Sequence, residues 1–364
     1  MNGHPRIRIL AIASAHPARR YSQEEMLAFV QVYLLGPDWR DHPAKVERAH
    51  ALAQTFAAAQ ITERQCTIDL PAFYHGRRST GERMTVYRDA AYALGGEALR
   101  AALAGGPGGR EPTDITDLFV ISCTGYAAPG IDVSLARDLG MSRSVRRVGI
   151  GHMGCFGALV GLRQSLATAR AYPDATVAML AVEVCSLHLR HSDDPETLTS
   201  FALFGDGAAA LLIGQDETAT GPEIVDSYCA ADFASAEQMS WTITDEGFVM
   251  GLSPRVPVTL RRNIASAVEG LLAPHDLRPS DITHWIVHPG GPSILTVIQR
   301  QMELSDEQMA LSWQVLRERG NCSSATVLLI LEELVRSGRP RRGEWGVMMA
   351  FGPGLTLETC LLRF

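Results

Sequence analysis

A cysteine, a histidine and an asparagine each stand in a turn beside an apolar segment of this chain. Cys155 lies within VGIGHMGCFGALVGL, His288 ends the run WIV and enters HPGGP, and Asn321 lies in GNCSSA at a helix start. A thiol with a neighbouring base is an activated nucleophile, and an amide is a fixed hydrogen-bond donor for a developing oxyanion. The threefold recurrence favours a shared nucleophilic site. Singly, each residue has a structural alternative: a core thiol, a structural histidine and a helix cap.

The setting of Cys155 predicts a buried turn that meets a helix N-terminus. Apolar residues at three- and four-residue steps follow it, beginning with Leu159 and Leu162. Glycines at positions 149, 151, 154 and 157 permit a tight turn and close approach of a ligand. The free N–H groups and dipole of such a helix end would lower the pKa of the thiol.

The elements that must position these residues alternate between strand and helix. The pattern predicts an α/β protein. Before residue 222 we expect strands at 6–15, 117–123 and 175–184, and a fourth strand just after residue 205. We expect helices at 45–59, 90–104 and 135–141, and two more that begin near residues 23 and 159. Residues 66–87 and 188–200 are expected to be loops. After it we expect strands at 223–231, 248–252, 284–288, 346–350 and 355–363 and helices at 257–273, 292–302 and 322–337. The similar plans indicate two duplicated halves, 1–221 and 222–364.

Composition narrows the class of protein further. The 364 residues carry a net charge of −7 without a basic block, which argues against a nucleic-acid partner. The seven cysteines show no CxxC pair and no metal-ligand spacing, and Met1–Ile12 is too short an apolar run for a secretory leader. We therefore expect free thiols in the cytoplasm. No apolar stretch reaches about 18 residues, so we expect no membrane span.

Five motifs in order resemble the type III polyketide synthases of the chalcone synthase superfamily. They are MGCF at Cys155, LFGDGAAA at Phe204, HPGGP at His288, GNCSSA at Asn321 and FGPGLTLE at 351–358. The resemblance runs from about Arg6 to Phe364. It implies a thiolase-type α-β-α-β-α fold of two duplicated halves, a homodimer, and acyl-CoA and malonyl-CoA as substrates with no other cofactor and no metal.

The resemblance also implies a role for each member of the triad. Cys155 would take the acyl group from coenzyme A, with His288 as the base beside it. After malonyl-CoA loses carbon dioxide, His288 and Asn321 would hold the enolate oxygen. Repeated extension and cyclisation would give a pyrone, a resorcinol or a related aromatic product.

Further positions match the family's cavity, some with departures. Phe204 matches its aromatic gate, Ser323 a cavity-lining position, and Gly352, Pro353 and Gly354 the loop that shapes the cavity. Met250 stands where a second gate phenylalanine is usual, and Trp241 where plant enzymes have glycine. Cys123 and Cys185 replace threonines. The basic residues at the coenzyme A tunnel align with Ala51, Gln54 and Ala58, which leaves Lys45, Arg48 and Arg64 as the candidates for phosphate binding.

Two alternatives remain open at this point. A single-condensation ketoacyl synthase shares the Cys-His-Asn triad, but such enzymes typically show a His-Gln-Ala-Asn run, which this chain lacks. A catalytically silent partner subunit of the same fold would usually have lost the cysteine or its donors, which this chain retains.

Overall fold

Strands and helices alternate along the chain in the computed structural model, which describes residues 6–105 and 109–364. The strands are β1 (Ile7–Ala15), β2 (Arg20–Ser22), β3 (Glu63–Gln65), β4 (Asp117–Ser122), β5 (Arg146–Gly151), β6 (Thr176–Val184), β7 (Asp206–Gln215), β8 (Glu223–Ala231), β9 (Met239–Thr244), β10 (Gly247–Leu252), β11 (Ile282–Val287), β12 (Trp345–Gly352) and β13 (Thr356–Arg363). The helices are α1 (Gln23–Leu35), α2 (Pro43–Ala58), α3 (Leu70–Phe73), α4 (Thr80–Gly105), α5 (Ile131–Leu139), α6 (Gly157–Ala171), α7 (Pro195–Leu203), α8 (Val256–Leu272), α9 (Pro292–Gln301), α10 (Asp306–Arg319) and α11 (Thr326–Arg336).

The main sheet repeats one pairing scheme. Its order is β11-β12-β13-β8-β1-β7-β6-β4-β5. In the first half β1 pairs with β7 and β7 with β6, both antiparallel, and β6 pairs with β4 in parallel. In the second half β8, β13, β12 and β11 repeat the same three pairings. A single residue pair, Arg8 with Glu223, joins β1 to β8. The repeated scheme agrees with the predicted duplication.

Two buried helices form the middle of five layers. Helix α6 packs against β4 and β6 and also against β13, while α11 packs against β11 and also against β1 and β7. Both are apolar on most of their surface, as a helix covered on all sides must be. Helix α4 covers the outer face of the first strands, and α8 that of the second. The predicted α-β-α-β-α architecture is confirmed.

The two turns that lead into the middle helices occupy equivalent places in the two halves. A short 3₁₀ turn, Gly154–Phe156, precedes α6, and another, Ser323–Ala325, precedes α11. Their first residues have positive φ, +70° for Gly154 and +47° for Ser323. Because α6 and α11 lie together in the middle layer, the duplication places these two turns beside each other.

Most predicted elements are present with shifted ends, and the two predicted loops were partly wrong. Residues 66–87 include α3 and the start of α4, and residues 188–200 include most of α7. Helix α7 begins at Pro195, which suits a first turn, after Asp194 accepts a hydrogen bond from the Thr197 N–H. Strand β9 and helix α10 were not predicted. Residues 1–5, which belong to the segment considered as a secretory leader, lie outside the described residues. The division of the chain into halves at 1–221 and 222–364 stays a prediction.

Candidate active site

Cys155 lies in the buried turn at the start of α6, as predicted. The side chain is 4% exposed. Gly154 has φ +70°, a conformation that favours glycine, and a Cβ there would come within 2.5 Å of the Pro353 ring. The side chains of Ser323 and Asn321 lie close enough to the thiol to favour its deprotonated form. The structure therefore brings the predicted cysteine and asparagine together.

Asn321 is fixed in orientation by its own side-chain oxygen. Oδ1 accepts hydrogen bonds from the Ser323 N–H at 2.8 Å and from Thr326 Oγ1 at 3.3 Å. This leaves the amide NH₂ as the group that can donate to the Cys155 sulfur or to a bound oxyanion. The backbone of Asn321 donates to Leu203 O at 2.8 Å, which ties the asparagine turn to the end of α7.

His288 is buried at the end of β11 with both ring nitrogens free. The residue is 0% exposed, and neither Nδ1 nor Nε2 has a hydrogen-bond partner among the described residues. Its ring packs edge-on against Phe351, with centroids 5.6 Å apart. Gly352, which follows Phe351 in the chain, lies against the ring of Phe156, the residue after Cys155. A Cβ on Gly352 would come within 2.8 Å of that ring. A buried polar group without a partner calls for an explanation, and a role in binding or catalysis provides one.

Burial holds both members of the proposed pair in their neutral forms. It raises the pKa of the Cys155 thiol to about 12, although the nearby side chains of Ser323 and Asn321 act in the opposite direction. It lowers the pKa of His288 to about 3. The lowered cysteine pKa predicted from the helix end was therefore wrong, because loss of water outweighs the helix dipole. A thiolate here needs a proton acceptor in the same site, and we propose His288 for that role.

Replacing His288 by alanine should slow alkylation of Cys155 near neutral pH. Without the imidazole the thiol has no internal proton acceptor, and its raised pKa governs the reaction. We expect iodoacetamide to modify the H288A variant at least about tenfold more slowly than the wild type at pH 7, with a rate that rises continuously toward pH 10. Peptide mass spectrometry measures the modified fraction. Equal rates at pH 7 would contradict the pairing.

Cys155 opens onto a small cavity of about 50 Å³. Seven of the nine predicted cavity residues line it: Phe204, Met250, Cys123, Cys185, Trp241, Ser323 and Pro353. Gly352 and Gly354 are outside the lining, and Gly352 instead permits close packing against Phe156. The Trp241 indole N–H donates to Cys123 O at 2.7 Å, so the large side chain is held in place. What these residues do in catalysis stays a prediction.

Helix α7 separates this cavity from a second one of about 490 Å³. One side of the helix, including Ser200 and Phe201, faces the first cavity. The other, including Thr199 and Leu203, faces the second, which also contains the GGPS residues after His288 and the predicted tunnel residue Ala58. Phe204 follows the helix at the boundary. This position suits the predicted gate.

The three predicted phosphate-binding residues do not line the second cavity. Arg64 is fully buried, and its guanidinium donates to the carbonyls of Phe201, Ala202 and Phe204, which stabilises the end of α7. Lys45 pairs with Asp38 at 2.9 Å, and Arg48 pairs with Asp193. The prediction for Arg64 was wrong, because the buried guanidinium binds backbone carbonyls. The structure gives no support for Lys45 or Arg48 in this role.

Sequence reasoning missed the carboxylate of Glu183 behind the site. Its oxygens accept hydrogen bonds from Ser324 Oγ at 2.5 Å, Thr124 Oγ1 at 2.7 Å and the Cys123 N–H at 3.0 Å. It thereby joins the end of β6 to the Ser323–Ala325 turn, and burial raises its pKa. The signal available was a single charged residue within the apolar run ATVAMLAVEV.

No helix within the described ranges has both the length and the apolar character needed to cross a bilayer. The family models that match are those described as chalcone and stilbene synthases, N-terminal domain, over residues 3–217, and C-terminal domain, over residues 230–364. Together they account for nearly the whole chain.

Several known proteins are similar over nearly the full length of the chain. The 1,3,6,8-tetrahydroxynaphthalene synthase of Streptomyces peucetius subsp. caesius is 34% identical over 360 residues, which are 98% of this chain and 93% of the relative. The alpha-pyrone synthesis polyketide synthase-like Pks18 of Mycobacterium tuberculosis is 30% identical over 364 residues, 97% and 90% of the two chains. The crystal structure of PKS-I from the brown alga Ectocarpus siliculosus superposes with a TM-score of 0.91 at 28% identity and covers 100% of this chain and 99% of the other.

Proposed function

Because the chain belongs to the chalcone and stilbene synthase family of type III polyketide synthases, we propose that it condenses acyl units with Cys155, His288 and Asn321. Enzymes of this kind are condensing acyltransferases. The observations that carry the proposed roles are the Asn321 side chain beside the Cys155 thiol and the buried, unpartnered imidazole of His288, whose ring packs against Phe351.

The first step loads the starter. His288 takes the thiol proton, and the Cys155 sulfur attacks the carbonyl carbon of an acyl-CoA. The carbon–sulfur bond to coenzyme A breaks, and coenzyme A leaves with the proton from the imidazolium. The product is an acyl thioester on Cys155 with neutral His288 restored.

The second step makes the new carbon–carbon bond. Malonyl-CoA loses carbon dioxide, and the electron pair of the broken bond becomes an enolate. His288 and the Asn321 amide donate hydrogen bonds to its oxygen. The enolate carbon then attacks the carbonyl carbon of the Cys155 thioester, and the carbon–sulfur bond to Cys155 breaks. The extended chain, now a thioester of coenzyme A, is transferred back to Cys155 for the next round as in the loading step. Coenzyme A thioesters serve as substrates, and the proposed steps need no further cofactor.

Incubation with malonyl-CoA and a panel of acyl-CoA starters tests this function. We expect release of carbon dioxide and products extended by more than one unit and cyclised. One extension that remains a thioester would instead indicate a single-condensation ketoacyl synthase. Absence of carbon dioxide and of any product with every starter would contradict the proposal.

We infer a small cyclised product, a pyrone, a resorcinol or a related ring. Two relatives are named for tetrahydroxynaphthalene and for alpha-pyrones. In this chain Trp241, Phe248 and His188 form an aromatic cluster in the cavity wall, with Trp241 and Phe248 centroids 5.8 Å apart. Their bulk leaves room for a compact product only.

Replacing Trp241 by alanine should lengthen the product. Removal of the indole enlarges the cavity beside Cys155 and costs one hydrogen bond to Cys123 O. We expect products with at least one additional two-carbon unit, at a yield lowered by roughly a factor of 2 to 10, since one lost hydrogen bond costs about 1 kcal/mol. Liquid chromatography with mass spectrometry resolves the products. Trp241→Phe keeps most of the bulk and serves as the control. An unaltered product set in W241A would contradict the role of the indole.

The chain is further proposed to act as a homodimer in the cytoplasm. Strand β5 is an edge of the main sheet, and large apolar side chains near it are exposed: Tyr126 by 64%, Val148 by 40% and Met153 by 40%. An edge strand beside exposed apolar residues suits pairing with a second copy. The free thiols of all seven cysteines suit a reducing compartment.

A further inference from the structure

A single arginine lines the cavity at Cys155. Among the residues in contact with this cavity, Arg190 alone carries a formal charge at neutral pH, because burial lowers the pKa of His188 to about 4. Arg190 is partly buried. Within residues 6–105 and 109–364 its guanidinium makes no ion pair and no hydrogen bond. A guanidinium at the wall of a cavity, with no carboxylate paired to it, is available to bind an anionic group of a ligand.

Nearby carboxylates are already committed to other groups. Asp194 influences Arg190 only from beyond ion-pair distance, and it accepts hydrogen bonds from the Thr197 N–H at 2.9 Å and Thr197 Oγ1 at 2.8 Å. Asp193 pairs with Arg48. Glu183 is held behind the site by Ser324 and Thr124 and does not line the cavity. The protein therefore leaves the guanidinium available to a substrate.

The backbone beside Arg190 is held rigidly. The Leu189 N–H donates to the Tyr74 hydroxyl at 3.0 Å, and the buried guanidinium of Arg83 donates to Leu189 O at 3.1 Å and also to Leu187 O. His188 is fixed between Thr124 O at 2.7 Å and the Phe248 N–H at 3.1 Å. A cation presented from a fixed segment loses little entropy when it binds a ligand, so this arrangement suits a specific contact.

We propose that Arg190 forms a carboxylate-binding subsite, so that the enzyme accepts short starter acyl groups with a free carboxylate at the far end. This rests on the proposed function, since the acyl group must be attached to Cys155. The guanidinium fork matches a carboxylate with two parallel hydrogen bonds. The cavity volume of about 50 Å³ restricts the chain between thioester and carboxylate to a few carbons. Malonyl-CoA itself and other short dicarboxylic acyl-CoAs fit this description.

Single-turnover loading of Cys155 with succinyl-CoA and with butyryl-CoA tests the subsite. The two acyl chains have equal carbon number, and only succinyl carries a carboxylate. Coenzyme A leaves in both cases, and intact-protein mass spectrometry follows the acyl-enzyme without an extender. We expect the wild type to load succinyl at least about tenfold more efficiently than butyryl, as a charge-assisted pair allows. Arg190→Met should remove this preference, and Arg190→Lys should restore part of it.

Arg300→Met provides the matched control, since Arg300 is exposed on α9 and remote from the lining. It should keep the wild-type ratio. Equal loading of both acyl groups by the wild type, or the same preference in Arg190→Met, would overturn the subsite. Failure of the wild type to load any acyl-CoA or to decarboxylate malonyl-CoA would overturn the proposed function instead, so the two failures are distinguishable.

Discussion

Replacing Cys155 by alanine is expected to reduce polyketide formation by at least about 10³-fold, because the proposed mechanism attaches the acyl chain to this thiol. The side chain is small and buried at the start of α6, so the variant should fold. Product formation from a starter and malonyl-CoA, followed by mass spectrometry, measures the loss. Residual synthesis above about 1% of wild type would contradict the role of Cys155.

Measuring the release of carbon dioxide distinguishes the role of the nucleophile Cys155 from that of the enolate donors, His288 and Asn321. In C155A the amide of Asn321 is still oriented by its bonds from Ser323 and Thr326, and His288 is intact. Malonyl-CoA should therefore still lose carbon dioxide while no chain is extended. Cys123→Ala is the matched cysteine control, since Cys123 lines the same cavity, and this variant should still become acylated. Loss of acylation in C123A would show that Cys155 is not the nucleophile.

Replacing Asn321 by aspartate should lower the rate of malonyl-CoA decarboxylation by about 10² to 10³, which corresponds to about 2.7–4 kcal/mol. Aspartate keeps the oxygen that accepts from the Ser323 N–H and Thr326 Oγ1, so the turn is retained. It removes the NH₂ donor and places a negative charge beside the developing enolate. Rates of carbon dioxide release at saturating malonyl-CoA give the effect on kcat.

Asn321→Ala completes this comparison. It removes the donor without adding charge but also leaves the Ser323 N–H without its acceptor. We expect a comparable rate loss and a lower melting temperature than for N321D. Decarboxylation at the wild-type rate in both variants would exclude the amide as an oxyanion donor.

The sequence predicted the site well where glycine and proline restrict the backbone. The turn at Gly154 and the turn after His288 contain glycine and proline, whose backbone preferences can be recognised from the sequence alone. Strands such as β6 read as apolar runs because both faces are covered. The alternation of strands and helices predicted an α/β protein, and the order of the five layers was implied by the family resemblance.

Electrostatic properties could not be predicted in the same way. The direction of the Cys155 pKa depends on how completely the folded protein excludes water, and a helix end suggested the opposite sign. The role of Arg64 likewise depends on the end of α7, about 140 residues away, where three carbonyls converge. Spacing within a sequence does not give such distant partners.

Helix α7 shows a further limit. Its sequence, PETLTSFAL, is polar on one side and reads as loop, yet it forms the wall between two cavities. The position of α7 between the two cavities depends on the folded structure and is not indicated by its sequence. The same holds for Arg190, which is one of many arginines in the sequence and is distinguished only by its position at the cavity.

Intact-protein and peptide mass spectrometry of the acid-quenched enzyme during turnover tests the central claim most directly. With a starter acyl-CoA and malonyl-CoA, the account predicts acyl groups attached to Cys155, including chains that have grown by two-carbon units, together with release of carbon dioxide. Acyl groups on another cysteine, or extended products formed at the wild-type rate with Cys155 blocked by alkylation, would contradict it.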